Sequence, residues 1–261
     1  MKNFLKKIIP KKIQPLLIKI YIGGRRVFYA LIWRGSRYTC TFCNHSFDKF
    51  FSAGLSHDIL KEKKIVGGGY RENAICPFCE SVDRERLIHI FLKSNGLLKN
   101  QMKLLHVAPE KNLQKFFEKR NIDYFSADLN GIRAKIKMDI QDIKFPANCF
   151  DGIICNHVLE HIVDDKKAMS ELYRVLKPKG WAILQVPYSP IMKRTFEDFS
   201  VVEDEERARI FGQSDHVRIY GADYLNRLKS VGFYVKEEKI DINLVKKFAL
   251  NPNEVIFFCY K

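Results

Sequence analysis

The stretch Met138-Asp-Ile-Gln-Asp-Ile-Lys-Phe-Pro-Ala-Asn-Cys-Phe-Asp-Gly-Ile-Ile-Cys-Asn-His-Val-Leu-Glu-His-Ile162 decides how this chain is read. Its centre, Phe150–Cys155, is a short apolar run of the kind found in strands covered on both faces. It opens on Phe150-Asp151 and leaves through Asn156-His157, polar residues where a strand would quit its sheet. Outward from it, Lys103–Ala108, Tyr124–Ala127, Ile136–Met138, Trp181–Val186, Phe233–Glu238 and Val255–Tyr260 read as further strands. Helical spacing falls between them, at Asn112–Lys119, Asp165–Leu176 and Ala222–Val231. The middle helix places Ala168, Met169, Leu172, Val175 and Leu176 on one side and is expected to stop at Lys177-Pro-Lys-Gly180. Strands alternating with helices predict an α/β domain over residues 101–261, a parallel sheet with crossover helices. The last two strands lack an intervening helical pattern and are expected to pair antiparallel.

In such a sheet a ligand sits outside the carboxyl ends of the strands, near the point where strand order reverses. The first strand ends in His106-Val-Ala-Pro-Glu110. The second ends at Asp128, 22 residues after His106, where an acid can accept hydrogen bonds from a ribose. Asp139 follows the third strand and can accept from an adenine amino group. Taken singly, acids at strand ends also serve as helix caps.

The 138–162 stretch, with Leu172-Tyr-Arg-Val-Leu-Lys-Pro-Lys-Gly180, resembles class I S-adenosylmethionine-dependent methyltransferases of the type 11 group. The resemblance implies a Rossmann-like seven-stranded sheet, mostly parallel with a reversed last strand, S-adenosylmethionine as cofactor, and methyl transfer. It further implies that Asp128 binds the ribose hydroxyls, Asp139 with Ile140 the adenine, and that Asn156 lines the methionine end. One motif departs from the pattern. The family usually carries an acid and then a glycine-rich turn, which lets backbone approach the cofactor closely. Here His106-Val-Ala-Pro-Glu110 contains no glycine. Ala108 is small enough for a close approach, Pro109 suits a first helical turn, and Glu110 is expected to meet the cofactor's ammonium group. The same departure is compatible with a domain that no longer binds cofactor.

Methyl transfer is an in-line displacement whose acceptor must lose a proton, so positioning and a general base carry it. His157, just past the fourth strand, and His216, in Gly212-Gln-Ser-Asp-His-Val-Arg218, are the candidate bases. His161, one helical turn after His157, is expected to cap or pack. The 187–220 insertion, with Tyr188, Phe196, Glu197, Asp198 and Phe199, is expected to form an acceptor pocket or lid.

Residues 40–100 form a second unit. Cys40-Thr-Phe-Cys43 and Cys76-Pro-Phe-Cys79 share one spacing, and two such knuckles complete a closed four-thiolate zinc site, structural because no ligand position stays open. Val82–Leu98 reads as a helix linking this unit to the next. Seven cysteines, an odd number, without an export pattern argue against a disulfide framework and predict a reducing, cytoplasmic setting.

Residues 1–39 hold ten Lys or Arg and no Asp or Glu, against 35 basic and 30 acidic residues in the remainder. Apolar residues interleave with the lysines, although Pro10 and Pro15 are expected to break or kink a helix. This basic amphipathic arm can pack on the body of the protein, lie on an anionic membrane surface such as the inner face of the cell membrane, or bind nucleic acid. No stretch approaches the roughly 18 apolar residues of a membrane span. The expected activity is methylation of a small molecule or glycan, including one linked to lipid at a membrane. The alternatives are RNA methylation, with zinc and basic charge as docking elements, or a non-catalytic zinc-containing binding protein on a lapsed methyltransferase fold. RNA binding predicts strong salt dependence, and the lapsed enzyme predicts no cofactor binding.

Overall fold

The structure, a computed structural model, describes residues 14–261, with side chains from residue 23 onward. Pro10 and the first lysines of the arm lie outside the described residues. The chain opens with α1 (Gln14–Ile32), followed by β1 (Arg34–Thr39), β2 (Ser46–Phe47), β3 (Phe51–Ala53), α2 (Asp58–Glu62), β4 (Arg71–Ile75) and α3 (Asp83–Ser94). Pro15 stands in the first turn of α1, where its missing N–H removes no intrahelical bond. The proline expected to break the arm therefore sits at the start of a 19-residue helix. β1, read as part of the arm, pairs antiparallel with β2 and belongs to the cysteine segment. β3 and β4 form a second antiparallel pair, with α2 in the connection between them.

Next come β5 (Lys103–Val107), α4 (Lys111–Glu118), β6 (Asp123–Asp128), β7 (Ile136–Lys137), β8 (Phe150–Asn156), α5 (Asp165–Val175) and β9 (Leu176–Gln185). The chain ends with β10 (Phe196–Glu197), α6 (Asp204–Phe211), β11 (Arg218–Ile219), α7 (Tyr224–Ser230), β12 (Tyr234–Glu238), α8 (Ile242–Lys247) and β13 (Ile256–Tyr260). Seven strands make one sheet in the order β7-β6-β5-β8-β9-β13-β12. β13 runs antiparallel to both neighbours, and the pairs among β5 to β9 are parallel. This is the Rossmann-like sheet with a reversed last strand. Strand order reverses between β5 and β8, so their carboxyl ends flank the crevice in which such sheets bind ligands.

Two expectations are corrected. The helix stops as expected, α5 ending at Val175, but the strand expected from Trp181 begins at Leu176, so that Lys177-Pro-Lys-Gly180 is the irregular first part of β9. There the register with β8 slips between Phe150 and Gly152, Lys179 adopts φ 63°, and its N–H donates to the Lys261 carbonyl at 3.0 Å. The last two strands do have a helix between them, α8, too short to stand out from sequence periodicity.

The sheet is dry on both faces because β5, β8 and β9 alternate their side chains between two cores. Leu105, Val107, Ile153, Cys155, Ala182 and Leu184 meet Met169 and Leu172 of α5 and Tyr224 and Leu228 of α7. Leu104, Ile154 and Ile183 meet Leu87, Ile88, Phe91 and Leu92 of α3 and Leu113 and Phe117 of α4. The helix read as a linker therefore covers one face of the sheet. Arg86 on α3, fully buried, donates to the carbonyls of Ser81 (2.6 Å), Phe248 (2.9 Å) and Ala249 (2.8 Å), pinning the cysteine segment to the C-terminal part of the chain.

Candidate functional site

β5 and β8 both leave the sheet through a left-handed residue, Ala108 at φ 47° and His157 at φ 53°. Their N–H groups are held by the carbonyls of Ala127 and Gln185, each at 2.8 Å. A left-handed conformation costs a residue with a Cβ about 1–2 kcal/mol, which explains why glycine suits this turn. Ala108 makes the same turn with the smallest side chain that carries a Cβ, so the missing glycine has not removed it.

Below Ala108, the buried His106 donates from Nε2 to Glu110 Oε2 at 2.7 Å and accepts at Nδ1 from the Tyr124 hydroxyl at 2.9 Å. Glu110 Oε1 accepts from Asn156 Nδ2 at 3.0 Å. Burial alone would raise the Glu110 carboxyl, but hydrogen bonds from His106 and Asn156 and the charge of Arg84 hold it below its ordinary range. Both Glu110 oxygens are thus engaged inside the protein, and Glu110 ties the end of β5 to the end of β8. Asn156 Oδ1, by contrast, is buried and has no partner among the described residues. A buried amide oxygen without a donor costs about 1–3 kcal/mol, and the donor-rich methionine end of the cofactor fits it.

Asp128 and Asp139 follow β6 and β7 on the same carboxyl edge of the sheet. Asp128 accepts from the N–H groups of Gly131 and Arg133, and Asp139 accepts from the N–H of Gln141 at 2.8 Å. Each ties its own loop, and neither caps a helix, since none lies between β6 and β8. Ile140 is buried beneath them.

A cavity of about 310 Å³ adjoins the end of β8. His157, Glu160 and His161 form one wall, and Phe211, Gly212, Gln213, His216, Arg218 and Ile219 another. The third wall is the connection between the two cysteine knuckles, through Gly54, Leu60, Gly67, Gly68, Gly69 and Arg71. That connection is fastened over the strand ends by paired bonds between Val66 and Tyr188, at 2.8 and 3.1 Å, and by Ser189 Oγ donating to the Lys63 carbonyl at 2.5 Å. A Cβ at Gly67, where φ is 79°, would stand 3.3 Å from His157 Cε1, so the loop lies directly against this histidine.

His157 and His216 therefore share one cavity, as their expected roles require. Burial pushes both imidazoles down from their ordinary value, Arg84 adding to the effect at His157, while Glu160 opposes it at each. The rest of the expected lid is corrected. Tyr188, Phe196, Glu197, Asp198 and Phe199 do not line the cavity. Glu197 accepts from Arg218 at 2.9 Å and Arg227 at 3.1 Å, and Tyr188 packs against Phe257. These residues brace the insertion, and its 211–219 part faces the cavity.

Sequence reasoning missed Glu160 and the Gly67–Gly69 wall, and gave His161 only a packing role. The spacing His157-x-x-Glu160-His161 immediately after a buried strand carried the signal for the first. Nothing local in residues 44–75 marks them as a wall, because the contact that makes them one is long-range.

The sulfur atoms of Cys40, Cys43, Cys76 and Cys79 lie within 4.8 Å of one another. Cys40 Sγ is 3.4 Å from Cys79 Sγ, and Cys43 Sγ 3.8 Å from Cys76 Sγ. The knuckles are built alike: Asn44 N–H donates to the Cys40 carbonyl and Glu80 N–H to the Cys76 carbonyl, both at 3.0 Å, and Asn44 and Glu80 both have positive φ. Hydrogen bonds from Cys43, Cys76 and Cys79 hold the Cys40 thiol far below its ordinary value. Phe47 and Phe50 pack around the buried Cys40 and Cys76.

Comparison with known proteins places residues 102–184 in the family described as a methyltransferase domain. Among solved structures, this chain is similar to a SAM-dependent methyltransferase from Archaeoglobus fulgidus, at 15% identity and TM-score 0.46, over 67% of this chain and 93% of that one. It is also similar to one from Mesorhizobium loti, at 12% identity and TM-score 0.45, over 64% and 95%. A third is phosphoethanolamine N-methyltransferase 2 of Haemonchus contortus, at 17% and 0.41, over 57% and 37%. No curated protein matches the chain. The family match spans β5 to β9, the strands on either side of the reversal. Together with the seven-stranded order, it identifies residues 102–184 as the matched part of a methyltransferase domain on a Rossmann-like sheet.

Proposed function

We propose that the protein methylates a hydroxyl group of a small molecule or glycan held in the cavity beside β8. The observation that supports this reading is the cavity itself, which adjoins the carboxyl end of β8 and is lined by both candidate bases, His157 and His216. At about 310 Å³ it lies at the small end of the roughly 300–1,000 Å³ of ligand pockets, a size for one sugar or a compact metabolite. S-adenosylmethionine supplies the methyl group from its sulfonium. The acceptor oxygen forms the new C–O bond as the C–S bond breaks, and its proton passes to His157 or His216. Ala108 gives the backbone approach, Asn156 Oδ1 accepts from the methionine end, Asp128 from the ribose hydroxyls, and Asp139 beside Ile140 serves the adenine.

A calorimetric titration with S-adenosylmethionine should show one site per chain. Asp128→Ala should weaken it ten- to a hundred-fold, because a charged acceptor is worth about 1.5–3 kcal/mol. Absence of binding by folded wild-type protein would establish the lapsed-fold reading. Unchanged affinity in a folded variant would remove Asp128 from the ribose site.

Zinc at Cys40, Cys43, Cys76 and Cys79 belongs to the same proposal, supported by the four converging sulfurs. The acceptor can also be lipid-linked. Val27, Phe28, Leu31 and Ile32 on α1 are more than half exposed, in an arm with a strong excess of positive charge. None of the helices among the described residues is long and apolar enough to cross a membrane, so attachment would be at the surface. Full-length protein should float with anionic vesicles, and removal of residues 1–22, which carry six lysines, should weaken this strongly. Equal flotation with neutral vesicles would end the membrane reading, and salt-sensitive RNA binding would support the nucleic-acid alternative.

A further inference from the structure

Glu160 is 1% exposed, and neither of its carboxylate oxygens has a hydrogen-bond partner among the described residues. The nearest imidazole, His157, holds Nδ1 3.5 Å from Oε1, at the limit of hydrogen-bonding range. A buried carboxylate left this way is costly unless it is paired or coordinates a metal. The two groups beside it are metal-ligating types. One nitrogen each of His161 and His216 and one oxygen of Glu160 lie within 4.8 Å of one another, with the two rings edge to face at 4.7 Å.

His161 is also oriented for ligation. Its Nδ1 meets Asp215, 3.2 Å from both the carbonyl and the carboxylate, which leaves Nε2 turned towards Glu160 at 4.0 Å. A carboxylate on the far nitrogen is the usual support of a metal-binding histidine, fixing its tautomer and raising its basicity. Two histidines and one carboxylate on one side of an ion leave its remaining positions open. Those positions face the cavity, since Glu160, His161 and His216 all line it.

We propose that Glu160, His161 and His216 bind a divalent cation, and that the open positions of that ion take oxygen atoms of a hydroxyl-bearing acceptor. Ligand-to-metal distances of about 2.0–2.2 Å require the three groups to draw slightly closer than they stand. The inference rests on the methyl-transfer reading for its substrate, but the cation site itself does not. A cation-bound alcohol loses its proton more readily than a free one. The proton passes to His157 while the C–O bond forms and the C–S bond breaks, so the ion is neither oxidised nor reduced.

The test uses the full-length protein in its zinc-loaded form and Mn²⁺ as the probe, because manganese prefers oxygen and nitrogen ligands and is a poor match for four thiolates. Electron paramagnetic resonance should count one bound Mn²⁺ per chain. Water-proton relaxation should show that it retains exchanging water, as open positions require. Glu160→Gln and the less buried His161→Gln should each weaken Mn²⁺ binding at least tenfold while leaving the S-adenosylmethionine titration unchanged. No bound Mn²⁺ in wild-type protein, or equal binding in folded variants, would overturn the site, and a bound ion without exchanging water would overturn its acceptor role. Mn²⁺ bound by protein that fails to bind S-adenosylmethionine keeps the cation site and refutes the enzymatic reading instead.

Discussion

Cys76→Ser should cost the protein its zinc, the order of residues 34–82 and its acceptor cavity together. Cys76 is fully buried, and its N–H and carbonyl are held by the second knuckle's turn. Around the four sulfurs pack Phe47 and Phe50, with Ala30, Tyr38, Phe42 and Ala249 partly buried beside them, a small core for the segment they hold. In such a segment metal binding is folding free energy, and structural zinc sites in isolated fingers supply about 10–16 kcal/mol. Elemental analysis should find one zinc per chain in wild-type protein and far less in the variant. Limited proteolysis should then cut within 34–82, while S-adenosylmethionine still binds, because both faces of the large sheet are packed by cores to which the sulfurs do not belong. Wild-type protein that is fully protected without metal would refute the zinc assignment.

The second large effect is expected in turnover. His157→Gln should slow methyl transfer by roughly 10²–10⁴-fold, the usual contribution of a general base. It should act on kcat, with at most a small change in cofactor affinity. The side chain is held between Gly67 on one side and Glu160 on the other, so the amide of glutamine fills the space without taking the proton. The matching His216→Gln variant separates the two histidines. A loss of turnover confined to His216→Gln, with Mn²⁺ binding intact, would move the base to the insertion, and near-full turnover in both would leave catalysis to positioning alone. The measurement is transfer of labelled methyl from S-adenosylmethionine into small-molecule acceptors.

The sheet was legible because its central strands β5, β8 and β9, buried on both faces, are apolar at nearly consecutive positions, as in Ile153–Cys155. The cysteine pairing was legible from spacing alone, and the sulfurs do converge. Boundaries were less so. Lys177-Pro-Lys-Gly180 marks the helix stop correctly, but the strand starts at Leu176 and not at Trp181, because the bulge against β8 absorbs the proline and the left-handed Lys179. The acceptor side was legible only where a histidine announced it. Glu110 and Glu197 look alike in sequence as acids near a site, but each found partners inside the protein, whereas Glu160, marked only by its spacing from His157 and His161, has no hydrogen-bond partner among the described residues. Partnering between distant residues decides which carboxylate stays available, and local pattern does not encode it.

The connection between the cysteine knuckles supplies one wall of the cavity and contributes no strand to the catalytic sheet. On the proposed function, the cofactor crevice and this wall of the acceptor cavity belong to separate stretches of chain, joined by a few bonds such as those between Val66 and Tyr188. Lengthening, shortening or exchanging residues 53–71 should alter which molecule is methylated without disturbing the cofactor crevice, since both ends of the graft are anchored by the knuckles. If the proposed acceptor occupies this cavity, rewriting one loop is a route by which evolution, or a laboratory, would alter which molecule is accepted.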